Sequence, residues 1–307
     1  MKIRPFRLIV LSLSLLIPAA LCAVVLFLVL YSGQAILFNG LHFLAQVNWN
    51  MGDLYDDPVK ENGILVPSGA SYGILVFIVG TLASSGIAIL IAAPLAVGSA
   101  IFLAEIVPPG IRPVLSMLVE LIAVVPSVVF GLWGIAVLIP FIGHYLAPNG
   151  SGYGLLAASI VLALMITPII AATLLDALLQ VPKENRESAF ALGATHFEVV
   201  SKAMMPMVRT TLIGGIVLAL GRALGETMAV LMVSGGGLNI LPTSLFSPIS
   251  TIASFVAGQL DSAETDPTNM SVRALAEIAL VLFIITLAVN ACAKLLSSGA
   301  LRVRKRA

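Results

Sequence analysis

Six long apolar stretches decide what this chain can fold into. They run over about 8–31, 72–104, 114–141, 154–179, 209–234 and 274–298. Each reaches the roughly 20 residues that a helix needs to cross about 30 Å of hydrocarbon. Hydrophobic residues make up 59% of the 307-residue chain and charged ones only 10%, with a mean hydropathy of +1.09. A soluble fold of this length cannot bury so much apolar surface, so the solvent is lipid. The expected fold class is an all-α integral membrane protein of about six transmembrane helices. A single membrane domain is expected, with an N-terminal anchor helix over about 8–31 and a core over about 72–298. Pro94, Pro126, Pro168, Gly214, Gly215, Gly221 and Gly225 fall inside these stretches. Membrane helices tolerate them because neighbours re-satisfy the freed backbone groups, and they mark bends or close helix contacts.

Orientation follows from the cations, because Lys and Arg resist translocation. Lys2, Arg4 and Arg7 precede the first stretch, and Arg112 lies between the second and third. Lys183, Arg186, Lys202 and Arg209 lie between the fourth and fifth, and Lys294, Arg302, Arg304, Lys305 and Arg306 close the chain. With six spans all of these share one side. The opposite loops carry Asp53, Asp56, Asp57, Glu61, Asp261, Glu264 and Asp266 against Lys60 and Arg273. Both termini are therefore expected on the cytoplasmic side of the inner membrane. The first stretch has the basic start of a signal peptide, but no clear small-x-small cleavage site precedes Tyr31, so it reads as a retained helix. The outer stretches 32–71 and 235–273 read as solvated loops, or on a sharper reading as a docking surface for an external protein.

Few residues carry chemistry. No G-x-x-x-x-G-K-[ST], G-x-S-x-G or H-E-x-x-H stretch occurs, which removes P-loop ATP binding and the commonest hydrolase and metalloprotease readings. His42, His144 and His196 are isolated and make no metal spacing, and Cys22 and Cys292 read as small apolar fillers of the first and last spans. Charges inside spans are different, because they are costly and mark pathways. Arg222 and Glu226 are i and i+4, which on a continuous helix puts them on one face about 6 Å apart along the axis. They read either as a self-neutralising pair or as a polar point on a path, where a guanidinium suits an oxyanion and the carboxylate competes for it. Glu120 is the next candidate for a polar contact in the bundle, and Ser127, just after Pro126, offers a hydroxyl to a passing ion. Asp176 and Glu277 lie near span ends and read as structural.

The loop between the fourth and fifth stretches, 181–206, reads VPKENRESAFALGATHFEVVSKAMMP and is amphipathic. Its apolar residues Phe190, Ala191, Leu192, Phe197, Val199 and Val200 do not suit a purely solvated loop. They point to a docking surface, the alternative being a helix lying on the membrane.

Within that loop Glu187, Ser188 and Ala189, then Gly193, then Pro206 keep the spacing of a known signature: Glu-Ala-Ala, three residues, Gly, nine residues, Ile-x-Leu-Pro. Ser188, Ala203 and Met205 depart from it by small or volume-conserving changes. The loop thus resembles the coupling loop of the membrane subunits of ATP-binding cassette (ABC) importers. There Glu187 would face polar groups of a cytoplasmic ATPase subunit and Gly193 would allow the tight turn. A narrower resemblance runs through FLAEIVPPGIRP (102–113), VELIAVVPSVVFGLWGIAVLIP (119–140), ASIVLALMITPIIA (158–171), ALGRALGETMAVLMVSG (219–235) and ALVLFIITLAVN (279–290). In this order they look like the PstC-type permease subunits of phosphate ABC importers.

The resemblance implies a type I ABC importer permease fold and a non-catalytic subunit that conducts inorganic phosphate by alternating access. It implies Arg222 and Glu226 as the functional intramembrane charges. It also implies a PstA-type second permease, two cytoplasmic ATPase subunits that bind ATP and Mg²⁺, and an external phosphate-binding protein, with no cofactor in this chain. The rival readings are a permease for sulfate, molybdate or another oxyanion, and an ion-coupled secondary transporter in which Arg222 and Glu226 form a relay.

Overall fold

Backbone polar groups in hydrocarbon must bond within their own segment, so the apolar stretches become helices. The computed structural model describes residues 3–61, 63–147 and 150–304, and of residues 3–6, 8 and 296–304 the backbone alone. Lys2, Lys305 and Arg306 of the basic termini lie outside the described residues. Among these, six helical segments are long and apolar enough to cross a membrane: Ile9–Leu44, Leu75–Ile106, Ser127–Tyr145, Leu155–Leu179, His196–Leu224 and Met270–Leu295.

Two of the expected spans differ. The stretch 114–141 is broken into a helix α3 (Arg112–Val124) and a second run that starts at Ser127. Val125 and Pro126 between them have ψ of 130° and 138°, because proline pushes the residue before it out of the helical region. None of α3 is buried within the chain. The stretch 209–234 is likewise broken, its helix ending at Leu224 and resuming at Met228.

The chain forms two compact units. One comprises Met1–Leu75 and Val256–Ile284. It contains α1 (Ile3–Asn39), whose apolar side chains from Ile9 to Leu30 are exposed nearly all round, as suits lipid contact. The stretch after it is more ordered than the expected solvated loop. Strand β1 (Trp49–Asn50) pairs antiparallel with β4 (Ser71–Tyr72), and β2 (Val59–Glu61) with β3 (Ile64–Val66). Trp49, Val66 and Tyr72 are buried, with the Trp49 and Tyr72 rings edge-on at 5.1 Å. The Tyr72 hydroxyl lies 3.3 Å from Ser271 Oγ, and Asn39 Nδ2 donates to Glu277 Oε2 at 2.8 Å. Asp266, also buried, accepts from Ser271 N (2.8 Å), Thr268 N (2.8 Å) and Thr268 Oγ1 (2.7 Å).

The other unit comprises Val76–Phe255 and Ile285–Ala307. Its centre is α6 (Leu155–Leu179), against which α3, α9 (Met205–Leu224) and α10 (Met228–Val233) pack. Helix α2 (Leu75–Ile101) adds Ala88, Ala92 and Ala96 at i, i+4 spacing to the same core as Val161, Ile166 and Ile170. Such small side chains allow the close backbone approach that membrane packing relies on. Helix α4 (Ser127–Trp133), joined through a π-helical turn to α5 (Ile139–Tyr145), runs against α10 through Gly131, where a Cβ would come within 2.6 Å of Met232 Sδ and 3.3 Å of Ala229 Cα.

Candidate functional site

Arg222 stands in the last turn of α9, and Gly225 ends that helix. The break changes the expected relation of Arg222 to Glu226. Because Glu226 lies beyond the helix end, the i, i+4 face does not exist, and no ion pair joins the two among the described residues. Glu226 instead accepts from Ala229 N at 3.3 Å, putting its negative charge at the first turn of α10, where free N–H groups favour an anion. Arg222 is exposed and lines a recess of about 600 Å³ with Ile169, Gly214, Val217, Leu218, Gly221 and Asn290. That lining offers a hydrogen-bonding side chain in Asn290 but no carboxylate.

The other expected path residues are not brought to this recess. Ser127 opens α4 directly after Pro126 and is half-buried, while Glu120 is exposed on α3. Neither is among the residues around Arg222. Asn290, which sequence reading passed over, is the residue the fold places there, and no spacing rule links it to Arg222.

The coupling segment folds as two short helices and a fixed turn. Helix α7 (Lys183–Ala191) carries Glu187 and Ser188, both exposed, and Ala189, half-buried. Gly193 follows at φ +83°. Its N–H donates to Phe190 O at 2.9 Å and that of Ala194 to Ala189 O at 3.2 Å, the paired bonds of a Schellman turn, which a glycine in the left-handed region makes possible. The next helix, α8 (His196–Glu198), starts with a reciprocal cap. Thr195 Oγ1 accepts from Glu198 N at 3.4 Å, and Glu198 Oε2 accepts from Thr195 N at 3.0 Å. The Thr-x-x-Glu pattern of 195–198 is the signal that reveals this cap in the sequence. Pro206 lies within the continuous His196–Leu224 helix, directly after its π-helical turn Val199–Met204, an interruption of the regular ladder that suits a residue with no N–H to donate. The turn holds Leu192 at 89% exposure and Phe197 at 79%, with Phe190 at 41% against the His196 ring.

Beneath α7 sits an ionic cluster. Arg186 Nη1 is 2.9 Å from Glu105 Oε1, close enough for an ion pair although not aligned as a hydrogen bond. Arg112 Nη2 donates to Ala104 O at 2.8 Å and to Val107 O at 3.1 Å, closing the carbonyl end of the Leu75–Ile106 span. Glu105 was not among the expected site residues.

Comparison with known proteins agrees with this architecture. A family described as "Binding-protein-dependent transport system inner membrane component" matches residues 96–299. The chain is 45% identical over 278 residues to "Phosphate transport system permease protein PstC 1" of Mycobacterium tuberculosis (strain ATCC 25618 / H37Rv), covering 85% of this chain and 82% of that relative. It is 38% identical over 294 residues to the PstC protein of Pasteurella multocida (strain Pm70), covering 90% and 85%. Among solved structures, the inward-facing MetNI methionine ABC transporter shares the fold with a TM-score of 0.56 at 17% identity, over 74% of this chain and 97% of that one. A bacterial ABC transporter for alginate import gives 0.51 at 16%, over 72% and 78%.

Proposed function

As the chain belongs to the family of binding-protein-dependent transport system inner membrane components, we propose that it is the permease subunit of an ATP-driven importer of inorganic phosphate. The observation that carries this reading is Arg222: a cation within a span, lining a recess, with no carboxylate partner among the described residues. A lone guanidinium in hydrocarbon is costly and needs a counter-charge. A passing oxyanion supplies one through paired N–H donors. Relatives named as phosphate transport permeases support phosphate as that oxyanion.

The chain supplies the conduit and not the energy. A PstA-type second permease completes the path, and an external phosphate-binding protein delivers the anion. Two cytoplasmic ATPase subunits, which bind ATP and Mg²⁺, grip the segment around α7. In that grip Glu187, Ser188 and Ala189 line one side of the contact, Gly193 and Pro206 fix its geometry, and Leu192 and Phe197 fill apolar hollows. On this reading both termini lie in the cytoplasm. Movement of the segment on ATP binding switches the path between inward and outward access.

Uptake of radiolabelled phosphate into proteoliposomes carrying the full complex tests this, comparing the unaltered protein with Arg222→Gln. Uptake should fall by about tenfold or more, since a hydrogen bond to a charged group is worth about 1.5–3 kcal/mol. Assembly with the ATPase should stay intact. Unchanged uptake would remove Arg222 from the path. Competition by sulfate or molybdate at equal concentration would replace phosphate with another oxyanion, and uptake that follows an ion gradient without ATP would replace the importer with a secondary transporter.

A further inference from the structure

A docked ATPase moves α7, and something must carry that displacement into the membrane. The only direct charge contact from α7 to a span, among the described residues, is Arg186 to Glu105 at 2.9 Å. The other ion pair, Lys202 to Glu198, lies within one helical run and is mostly exposed, at 74% and 38%. The Arg186 and Glu105 side chains are 25% and 18% exposed, so water and salt screen them less. The guanidinium of Arg186 joins three elements. It belongs to α7, its Nη1 meets Glu105, and its Nη2 donates to Leu178 O at 3.2 Å in the last turn of α6.

Two features mark this cluster as a moving joint. Glu105 sits in a π-helical turn, Phe102–Ile106, and the segment that follows α8 is also π-helical, Val199–Met204. Such widened turns interrupt the regular ladder and concentrate at functional sites. In addition, Arg112 Nε and Arg186 Nε are buried without a hydrogen-bond partner, and Glu105 Oε1 has the Arg186 charge contact but no aligned hydrogen bond. A cluster built only to hold a static fold satisfies its buried polar atoms more fully.

We infer that Glu105 and Arg186 are the positioning pair through which a displacement of α7 reaches the Leu75–Ile106 span. The inference rests on the importer reading above. The pair touches no substrate; it converts movement of the docking segment into movement of a span.

The test measures phosphate uptake and ATP hydrolysis on the same proteoliposomes, with the complete complex. Glu105→Gln and Arg186→Gln should assemble and hydrolyse ATP, with uptake per ATP lowered about fivefold or more, the scale of coupling between contacting residues. The reversed pair, Glu105→Arg with Arg186→Glu, should regain most of that ratio. A purely structural tie would lower assembly or thermal stability and leave the ratio unchanged. An unchanged ratio in the assembled single variants overturns the inference, as does a reversed pair that assembles without regaining the ratio. Failure of every variant to assemble makes the pair a structural tie and also overturns it. An unaltered complex that hydrolyses ATP without moving phosphate removes the importer reading itself, a result distinct from all of these.

Discussion

Single residues carried the strongest signals in the sequence, and also the clearest error. Arg222 was legible because a guanidinium in an apolar stretch needs a reason, but its relation to Glu226 was not, since counting i+4 assumes a helix that Gly225 ends. Asp266 read only as one more outer-loop acid, although its partners Thr268 and Ser271 are two and five residues on, and Tyr72 was given no role because its partner Ser271 is distant in the chain. Burial alone would raise the Asp266 carboxyl, but the bonds from Ser271 and Thr268 outweigh it and hold the group below the ordinary aspartate range. Burial pushes the Tyr72 hydroxyl up to about 12, against a lowering from its bond to Ser271. The two signs bound a stability window. Asp266, depressed on folding, contributes stability above about pH 4, its unfolded value, and loses it as pH falls through the folded value. Tyr72, raised on folding, contributes fully below about pH 10 and loses it as pH climbs further. The contributions of these two groups to the thermal unfolding midpoint in detergent should therefore be constant between these limits and fall outside them. Asp266→Asn should flatten the acid limb and cost about 1–3 kcal/mol on the plateau, and Tyr72→Phe should flatten the alkaline limb. An acid limb unchanged in Asp266→Asn would show that other carboxyls set it.

At the scale of elements, apolar length located the helices, and what it missed were the breaks. Pro126 lay in view as a possible bend, yet the full break depends on Val125 leaving the helical region as well. The small outer strands were hidden for a different reason: pairs of two or three residues leave no alternation to read, and burial of Trp49 and Tyr72 holds them instead. The turn of the coupling segment was legible in its glycine. A Cβ at Gly193 meets nothing within 4 Å, so substitution there costs only backbone conformation, about 1–2 kcal/mol for an ordinary residue in the left-handed region. Asn tolerates that region and a β-branched residue does not. Gly193→Asn should thus keep binding of the ATPase subunit in pull-down from detergent, and Gly193→Val should weaken it severalfold. Equal binding by both would mean that the turn is not needed for docking. Gly131 is the opposite case, with conformation unrestricted and space absent. Gly131→Leu should force α4 from α10 and lower the unfolding midpoint, while Gly193→Asn leaves it unchanged.

For the whole molecule, the order of motifs along the chain was enough to give the family, since each one names a segment and its place between spans. What composition offered beyond that was sidedness, through the unequal distribution of cations. Three spans, Leu75–Ile106, Ser127–Tyr145 and Leu155–Leu179, separate the loop holding Tyr55 from the one holding Leu192. On the orientation proposed above, the odd number of crossings would put these two exposed residues on opposite faces of the membrane, with Leu192 on the cytoplasmic one. Helix α3, at 13 residues, is too short to cross about 30 Å of hydrocarbon, so it does not alter the parity. With Cys22 and Cys292 replaced by alanine, Tyr55→Cys should react with a membrane-impermeant maleimide in intact spheroplasts, and Leu192→Cys only after permeabilisation. Labelling of both from outside would mean that α3 crosses as a seventh span, in which case α7 could not meet a cytoplasmic ATPase. Labelling of Leu192→Cys alone from outside would invert the whole chain and set its cations against the rule that orients membrane proteins.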